Sequence, residues 1–372
     1  MSKNRLIIFG RYPEPGTTKT RMIPLLGPIG AAELQRILAE RLVGVAKSAI
    51  SLIEADLIFC HEGGNLKKMQ KWLGAEGLKF QHQSTGDLGA RMQTEFVRSF
   101  SSGAKKTILL GTDIDGLKST HLVQAFSALN HHDLVLGPST DGGYWLVGMG
   151  RLEPVFTDIS WGTPMVLEQT LSLARQRGLT TFLLDPLSDL DTPEDLDKSR
   201  NRNLPDAPYL SAIIKVDNES ERIKAVTGSA EDPDAEIIIV DGKSSGNTIE
   251  AAKTDGIRTL RSEHQIAVQF NKGALGAKGR VLLFLHGNST LPKGYAAHIF
   301  NMLMNREVAM GTFQFNVCGN NNKIRLLESF TNGKSGMIRL PGVDQGFFIR
   351  KRSFIKNGGF PENPDYQRPI TD

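Results

Sequence analysis

The residues of this chain best suited to chemistry are acids placed where short apolar runs stop. Asp113 follows Thr107-Ile-Leu-Leu-Gly-Thr112, a run that ends abruptly at glycine and aspartate. Such a run reads as a buried parallel strand whose carboxyl end opens into a loop, and in an open α/β sheet ligands bind at that end. A carboxylate there can hold Mg²⁺ or Mn²⁺ against a substrate diphosphate, because hard cations take oxygen ligands and bridge phosphate oxygens. It can equally cap the helix that follows. Asp141 leads a second such turn, Asp141-Gly-Gly-Tyr-Trp145, whose glycines leave room for a ligand. Asp189 and Asp191 precede Thr192-Pro193-Glu194-Asp195, which is also a good helix start with proline in the first turn.

Two basic loops accompany these acids. Gly16 leads into Lys19 and Arg21 directly after the first apolar run, so backbone N–H groups and two cations could meet phosphates there. The spacing is not that of a P-loop, and a solvated basic loop is the plainer alternative. Gly86-Asp87-Leu-Gly89-Ala-Arg91 begins a helix with an arginine nearby. It is friendly to phosphate, or else a turn with Asp87 as cap. Three acidic and two basic loops at the strand ends of one sheet fit a site for a metal-bound nucleotide.

The elements that must position these residues alternate. Strands are expected at Arg5–Phe9, Ala55–Cys60, 107–111, Asp133–Gly137, after Gly143, and at Thr180–Leu184. Between them lie helices at Gly30–Ile53, Asn65–Leu73, from Gly86 to about Phe100, Ser119–Leu129 and Pro164–Gly178. That alternation implies a mostly parallel sheet covered by helices on both faces, an α/β fold. Residues 198–208 are polar, carry prolines and lack a period, so a boundary falls there: a domain over 1–200, a linker over 201–208, and a domain over 209–372. The pattern then restarts, with strands at Tyr209–Val216, Glu236–Val240 and Arg280–Leu285 and helices at Asn218–Val226, Thr248–Asp255 and Gln265–Gly276. The first half has Asp113 at a strand end where the second has Asn288.

The chain has 372 residues, 40% hydrophobic and 23% charged, which suits a folded globular protein of two domains. No apolar run reaches membrane-spanning length, and Leu6–Phe9 is too short for a secretory signal. Cys60 and Cys318 are the only cysteines, so neither a disulfide framework nor a Cys-based metal site is expected, which suits a reducing cytoplasm. The net charge of +4 arises wholly after residue 208, since residues 1–208 hold 23 Lys+Arg against 23 Asp+Glu and the remainder 21 against 17. It forms no basic stripe interleaved with aromatics, so no nucleic-acid partner is expected.

Several of these segments together resemble a known family. Pro15-Gly16-x-x-Lys19-Thr20-Arg21, Gly86-Asp87-Leu88-Gly89-x-Arg91-Met92, Gly111-x-Asp113, Asp141-Gly142-Gly143-Tyr144, Trp161-x-Thr163-Pro164 and Asp189-x-Asp191-Thr192-Pro193 stand in order over residues 5–197. They are similar to the radical SAM-associated glycosyltransferases of arsenosugar biosynthesis, related to guanylyltransferases acting on phospholactate and the molybdenum cofactor. The resemblance implies a glycosyltransferase-A fold. It implies Lys19, Arg21, Gly16, Gly86, Asp87 and Arg91 at the nucleotide, Asp113 and Asp191 at Mg²⁺ or Mn²⁺, and Asp113, Asp141 and Lys19 in catalysis. That family usually has proline where this chain has Asp115. Residues 209–362 resemble family-two glycosyltransferases through Asn218-Glu219, Val240-Asp241-Gly242-x-Ser244, Gln269-x-Asn271-x-Gly273-Ala274, Asp344-Gln345-Gly346 and Gly358-Gly359-Phe360-Pro361-Glu362. Asp241 would be the surviving nucleotide contact. Gly246 and Asn288 stand where such enzymes carry acids, and the usual Glu-Asp pair after Glu362 is missing, so the second domain is expected to be degenerate. It would serve as a scaffold, a homodimer surface or a weak binder. The expected protein is thus two tandem glycosyltransferase-A domains in a cytoplasmic transferase that takes a nucleotide or nucleotide-sugar donor and a small-molecule acceptor. Nucleotidyl transfer to a phosphorylated small molecule, or a non-catalytic nucleotide-binding scaffold, are the alternatives.

Overall fold

A computed structural model describes residues 4–199, 208–244, 250, 256–313 and 346–362. The chain divides into two compact units, Met1–Ile23 with Ala31–Leu204 and Pro24–Gly30 with Pro205–Asp372.

In the first unit, β1 (Asn4–Arg11), β2 (Ala55–Glu62), β3 (Lys79–His82), β4 (Lys106–Gly111), β5 (Leu134–Pro138), β6 (Tyr144–Met149) and β7 (Thr181–Leu183) form one sheet in the order β3-β2-β1-β4-β6-β5-β7. All pairings are parallel except those of β6, which runs antiparallel between β4 and β5. The central strands are buried almost throughout, with Leu6, Ile7, Ile8 and Ile108 fully inaccessible, which is why they read as unbroken apolar runs. The antiparallel β6 has a consequence for the site: the turn preceding Tyr144 lies at the same edge of the sheet as the end of β4, since Leu110 pairs with Leu146.

The helices of this unit are α1 (Ile23–Ile53), α2 (Leu66–Leu73), α3 (Leu88–Ser101), α4 (Ser119–Ala128), α5 (Val166–Gln176) and α6 (Pro193–Lys198). The first begins seven residues before the expected Gly30. It is broken by Gly27 (φ 73°, ψ 168°) and Pro28, which is where helical periodicity fails in the sequence. The cap expected of Asp87 is formed, its carboxylate accepting from Ala90 N at 2.8 Å. Thr192 and Asp195 close a capping box on α6.

The second unit repeats the plan. Strands β8 (Leu210–Val216), β9 (Ala235–Asp241), β10 (Ile257–Arg261), β11 (Val281–His286), β12 (Met310–Thr312) and β13 (Phe347–Arg350) pair in the order β10-β9-β8-β11-β13-β12. The first four are parallel, and β13 is antiparallel to both β11 and β12. Helices α7 (Ile223–Ala230), α8 (Ile266–Gly276), α9 (Tyr295–Leu303) and α10 (Lys351–Lys356) complete it. The expected helix from Asn218 starts only at Ile223, because Asn218 takes a left-handed conformation (φ 75°). Apart from Glu250, the expected helix at Thr248–Asp255, together with Gly246, Cys318, Asp344, Gln345, the linker over 201–207 and the segment after Glu362, lies outside the described residues. Among the described residues no helix is long and apolar enough to cross a membrane.

Candidate active site

Each site residue of the first unit enters from the end of a strand or the loop after it. The loop after β1 closes on Thr18, whose hydroxyl accepts from Glu14 N and donates to Tyr12 O. Lys19 follows in a left-handed conformation (φ 48°), a geometry that is costly for a side-chain-bearing residue. That turn sends its side chain into the sheet edge, where it is 3% exposed. Its ammonium lies 3.0 Å from Asp113 Oδ1 and 3.7 Å from Asp191 Oδ1, and donates to Leu190 O at 2.5 Å. The ammonium is thus held by one carbonyl and two carboxylates. Lys19 sits in an organising position between the two carboxylates, and Arg21, 72% exposed and 3.0 Å from Asp191 Oδ2, is the cation that faces solvent.

Asp113 and Asp191 are brought together by backbone as well as by charge. Leu190 N donates to Asp113 O at 2.8 Å, Asp115 N donates to Ser188 O at 2.9 Å, and Ile114 bridges Asp189. Asp115 fastens the loop further, accepting from Arg41 at 2.9 Å and from Ser199 at 2.7 Å. It is therefore a structural tie. Thr112 donates to Asp113 Oδ1 at 3.3 Å and accepts from Gln35 at 2.9 Å. Both carboxylates remain about half exposed, at 44% and 45%.

Asp189, by contrast, is largely enclosed. Ser139 donates to its Oδ2 at 2.9 Å. Burial, reinforced by the neighbouring Asp141 and Asp113 carboxylates, pushes its acid up to about 6.

Two adjoining cavities meet at these residues, sharing Arg21 and Asp191. One, about 390 Å³, is polar and is lined by Thr17, Thr18, Lys19, Arg91 and Asp113. Arg91 holds Gln83 at 2.8 Å and stands 3.5 Å from Glu62. The other, about 550 Å³, is walled by Leu88, Met92, Tyr144 and Trp161, with Asp141 and Asp189 in its lining.

Trp161 is the residue of this site that patterning gave least reason to single out, since it sits in a loop without period. It meets Tyr144 edge to face at 6.4 Å. It also accounts for Gly89, where a Cβ would come within 2.7 Å of the Trp161 ring; nearby, a Cβ on Gly142 (φ 90°) would come within 2.2 Å of Pro164 O.

Gly16, Gly86 and Asp87 line neither cavity. Gly16 (φ 82°) and Gly86 (φ 111°) shape the turns, and Asp87 is spent on its cap. Asp241 belongs to the second unit, at the end of β9, where it accepts from Ser244 through both the backbone N–H and the hydroxyl. Among the described residues no three His, Cys, Asp or Glu side chains are grouped so as to hold a metal by themselves.

Two mostly parallel α/β sheets in tandem, each with polar residues gathered at the ends of its parallel strands, define a glycosyltransferase-A-like protein of the nucleotide-diphospho-sugar transferase type. Residues 211–359 match glycosyl transferase family 2, and residues 45–163 match a family described as an uncharacterized protein conserved in bacteria (DUF2064). A candidate nucleotide-diphospho-sugar transferase of known structure from Desulfovibrio desulfuricans G20 is 31% identical, over 55% of this chain and 90% of that one, with a TM-score of 0.49. By that identity over nine-tenths of its length, this chain belongs to the same family. More distant are a mannosyltransferase from Pyrobaculum calidifontis solved with GDP-Man and Mn²⁺ (15% identity, 42% and 48% covered, TM-score 0.33) and glucosyl-3-phosphoglycerate synthase from Mycobacterium tuberculosis solved with Mn²⁺ and UDP (16%, 39% and 57%, 0.30). The chain thus spans about half the length of each of these two. No protein of curated function matches it.

Proposed function

We propose that the first unit is a divalent-metal-dependent transferase that moves a glycosyl group from a nucleotide sugar to a small acceptor. The observation that carries this reading is the pair of half-exposed carboxylates, Asp113 and Asp191, held side by side by a buried lysine at the mouth of two cavities. Four acids, Asp113, Asp141, Asp189 and Asp191, stand against Lys19 and Arg21, so the site has room for further positive charge once Asp189 is ionised. Mg²⁺ and Mn²⁺ are commonly held by one or two carboxylates completed by substrate phosphates, and this donor set fits that pattern. Asp113 and Asp191 would be the protein's ligands. A cation bound there would offset charge developing on a leaving diphosphate.

The chain's own residues would do the rest. Lys19 keeps the two carboxylates apart at a fixed spacing. Arg21 and Arg91 face the polar cavity, where they would neutralise donor phosphates, while the N–H groups of Thr17 and Thr18 donate to Glu14 O and hold the loop that carries Lys19 and Arg21. Asp141, at the turn held open by Gly142, reaches the second cavity, where the acceptor would lie.

The family relationship and the family-two match support a transferase. Nucleotidyl transfer would use the same carboxylates and cations, and the choice between the two is made by the donor. The test is thermal stabilisation by UDP-glucose, GDP-mannose, UTP, GTP and CTP, each with and without Mn²⁺. A ligand at a hundred times its Kd adds about 2.7 kcal/mol. A metal-dependent shift with a nucleotide sugar is expected, and it should vanish in Asp113→Asn. A shift with a nucleoside triphosphate alone would turn the reading to nucleotidyl transfer.

A further inference from the structure

The two cavities differ in chemistry, and the difference bears on what the second substrate can be. The polar cavity sets Lys19, Arg21, Arg91 and Arg11 against Glu62, Asp113 and Asp191 in its lining, so its cations outnumber its acids, whereas in the larger cavity the acids outnumber the cations. The larger one draws on Leu88, Met92, Tyr144 and Trp161 for its walls and has Asp141, Asp189 and Asp191 among its lining groups. Among the described residues Arg21 is the one cation lining it, and that guanidinium is already paired with Asp191 at 3.0 Å. With Asp191 taken up by Arg21 and by the cation proposed above, which the donor's phosphates would complete, an anionic head placed in this second cavity would still face the carboxylates of Asp141 and Asp189. Like charges at such range disfavour each other strongly in a partly buried site. An apolar or ring-bearing molecule would find two aromatic walls, Tyr144 and Trp161, in an edge-to-face pair. Asp141 presents a carboxylate able to accept from a hydroxyl or an ammonium.

Resting on the transferase reading above, we propose that the acceptor is an uncharged or cationic hydroxyl compound with an apolar or ring face, and not a phosphorylated or carboxylated one. The donor's phosphates go to the basic cavity, and the acceptor's ring lies against Trp161 with its polar edge toward Asp141. Specificity then comes partly from rejection, since the acids exclude what the aromatic wall alone would admit. This separates the present site from any enzyme of the same fold whose acceptor carries a phosphate, since such an acceptor needs a cation here.

The three tryptophans of the chain, Trp72, Trp145 and Trp161, all lie in the first unit, and two of them line this cavity. Intrinsic fluorescence therefore reads its occupancy directly. The full chain would be titrated with three probes of one shape: phenyl β-D-glucoside, its 6-amino-6-deoxy analogue and its 6-phosphate, with Mn²⁺ and UDP present to fill the donor side. The neutral and amino probes are expected to bind at least tenfold more tightly than the phosphate. Asp141→Asn should narrow that ratio severalfold, and Trp161→Ala should weaken the neutral probe while leaving the Mn²⁺–UDP thermal shift in place. Equal or tighter binding of the phosphate would overturn the proposal, as would no binding of any probe at millimolar concentration. The Mn²⁺–UDP shift, measured in the same samples, reports separately on the transferase reading: present with the wrong probe order, it leaves that reading standing and removes this one.

Discussion

Replacing Asp189 by asparagine should stabilise the first unit, and only at the pH where the native acid is charged. Its carboxyl is held near 6 against an ordinary value of 3.8, chiefly by burial and then by its acidic neighbours. The folded protein therefore keeps this proton to higher pH than the unfolded chain does. Between about pH 4 and 6 the unfolded state has already released it, so stability falls as pH rises through that window. Below the window the acid is neutral in both states and costs nothing; above it the full penalty stands. At about 1.4 kcal/mol per pH unit of separation, the penalty is about 3 kcal/mol. Asparagine keeps the shape and can still accept from Ser139, but carries no charge. Asp189→Asn should thus match the parent near pH 4 and exceed it at pH 7.5 by an amount of order 3 kcal/mol, or several degrees in a unit of this size. Tryptophan fluorescence during urea unfolding isolates the relevant transition, because the three tryptophans all belong to the first unit. The difference between variant and parent is the quantity to follow, since other acids impose a pH slope common to both. A gap independent of pH, or a variant weaker than the parent at pH 7.5, would refute the electrostatic account of this residue.

Other consequences follow from neighbouring contacts. Gly142→Ala combines a left-handed backbone with a Cβ 2.2 Å from Pro164 O; it should cost about 2–4 kcal/mol in unfolding experiments and weaken the acceptor probes most. Lys19→Met leaves Asp113 and Asp191 facing each other without their shared cation, so metal alone, expected to leave the parent's melting unchanged, should shift that of the variant, while nucleotide binding weakens at least tenfold. Asp241→Ala lies in the other unit, and the Mn²⁺–nucleotide shift should be unchanged in calorimetry; its loss would move the nucleotide site to the second unit.

Much of the first sheet could be read ahead of the structure because its strands are buried on both faces. Such strands have no choice but to be apolar runs, and the loops that end them must be polar, so Gly111-Thr112-Asp113 announced itself. β3 did not, since Lys79-Phe-Gln-His82 is partly exposed at the sheet edge and carries no apolar run. Nor could spacing reveal that Lys19 meets acids 94 and 172 residues away, because that requires the strand order. The direction of Lys19 is likewise set by a left-handed turn that no side-chain pattern encodes. Asp115 shows the opposite case: an acid next to a candidate ligand that turned out to be a structural tie to Arg41 and Ser199. Trp161 stands in the sequence only as part of the Trp161-x-Thr163-Pro164 segment, with no period to mark it. Its place is made by Gly89, whose missing Cβ leaves room for the ring, as Gly142's leaves room for Pro164.

The second unit places acids at the corresponding strand ends, but they are differently engaged. Asp217, after β8, is bound on every side: Lys215 Nζ at 2.5 Å, His264 Nδ1 at 2.9 Å and Gln269 Nε2 at 3.3 Å. Its carboxylate fills the space above Gly242, where a Cβ would come within 2.0 Å of it. Asp241, 2% exposed, is bonded to Ser244. Asn288, where β11 ends, accepts from Ser289 and brings no charge for a cation. A nucleotide entering here would have to displace the Lys215–Asp217–His264 contacts, and breaking an enclosed charge pair by taking one partner costs several kcal/mol. In the first unit the acids stand half open and held apart by a lysine that a ligand need not move. Among the described residues, then, the acids at this sheet edge stand half open in one unit and are engaged by their own neighbours in the other, and it is this difference in engagement, more than the presence of acids, that supports the proposal placing the chemistry in the first.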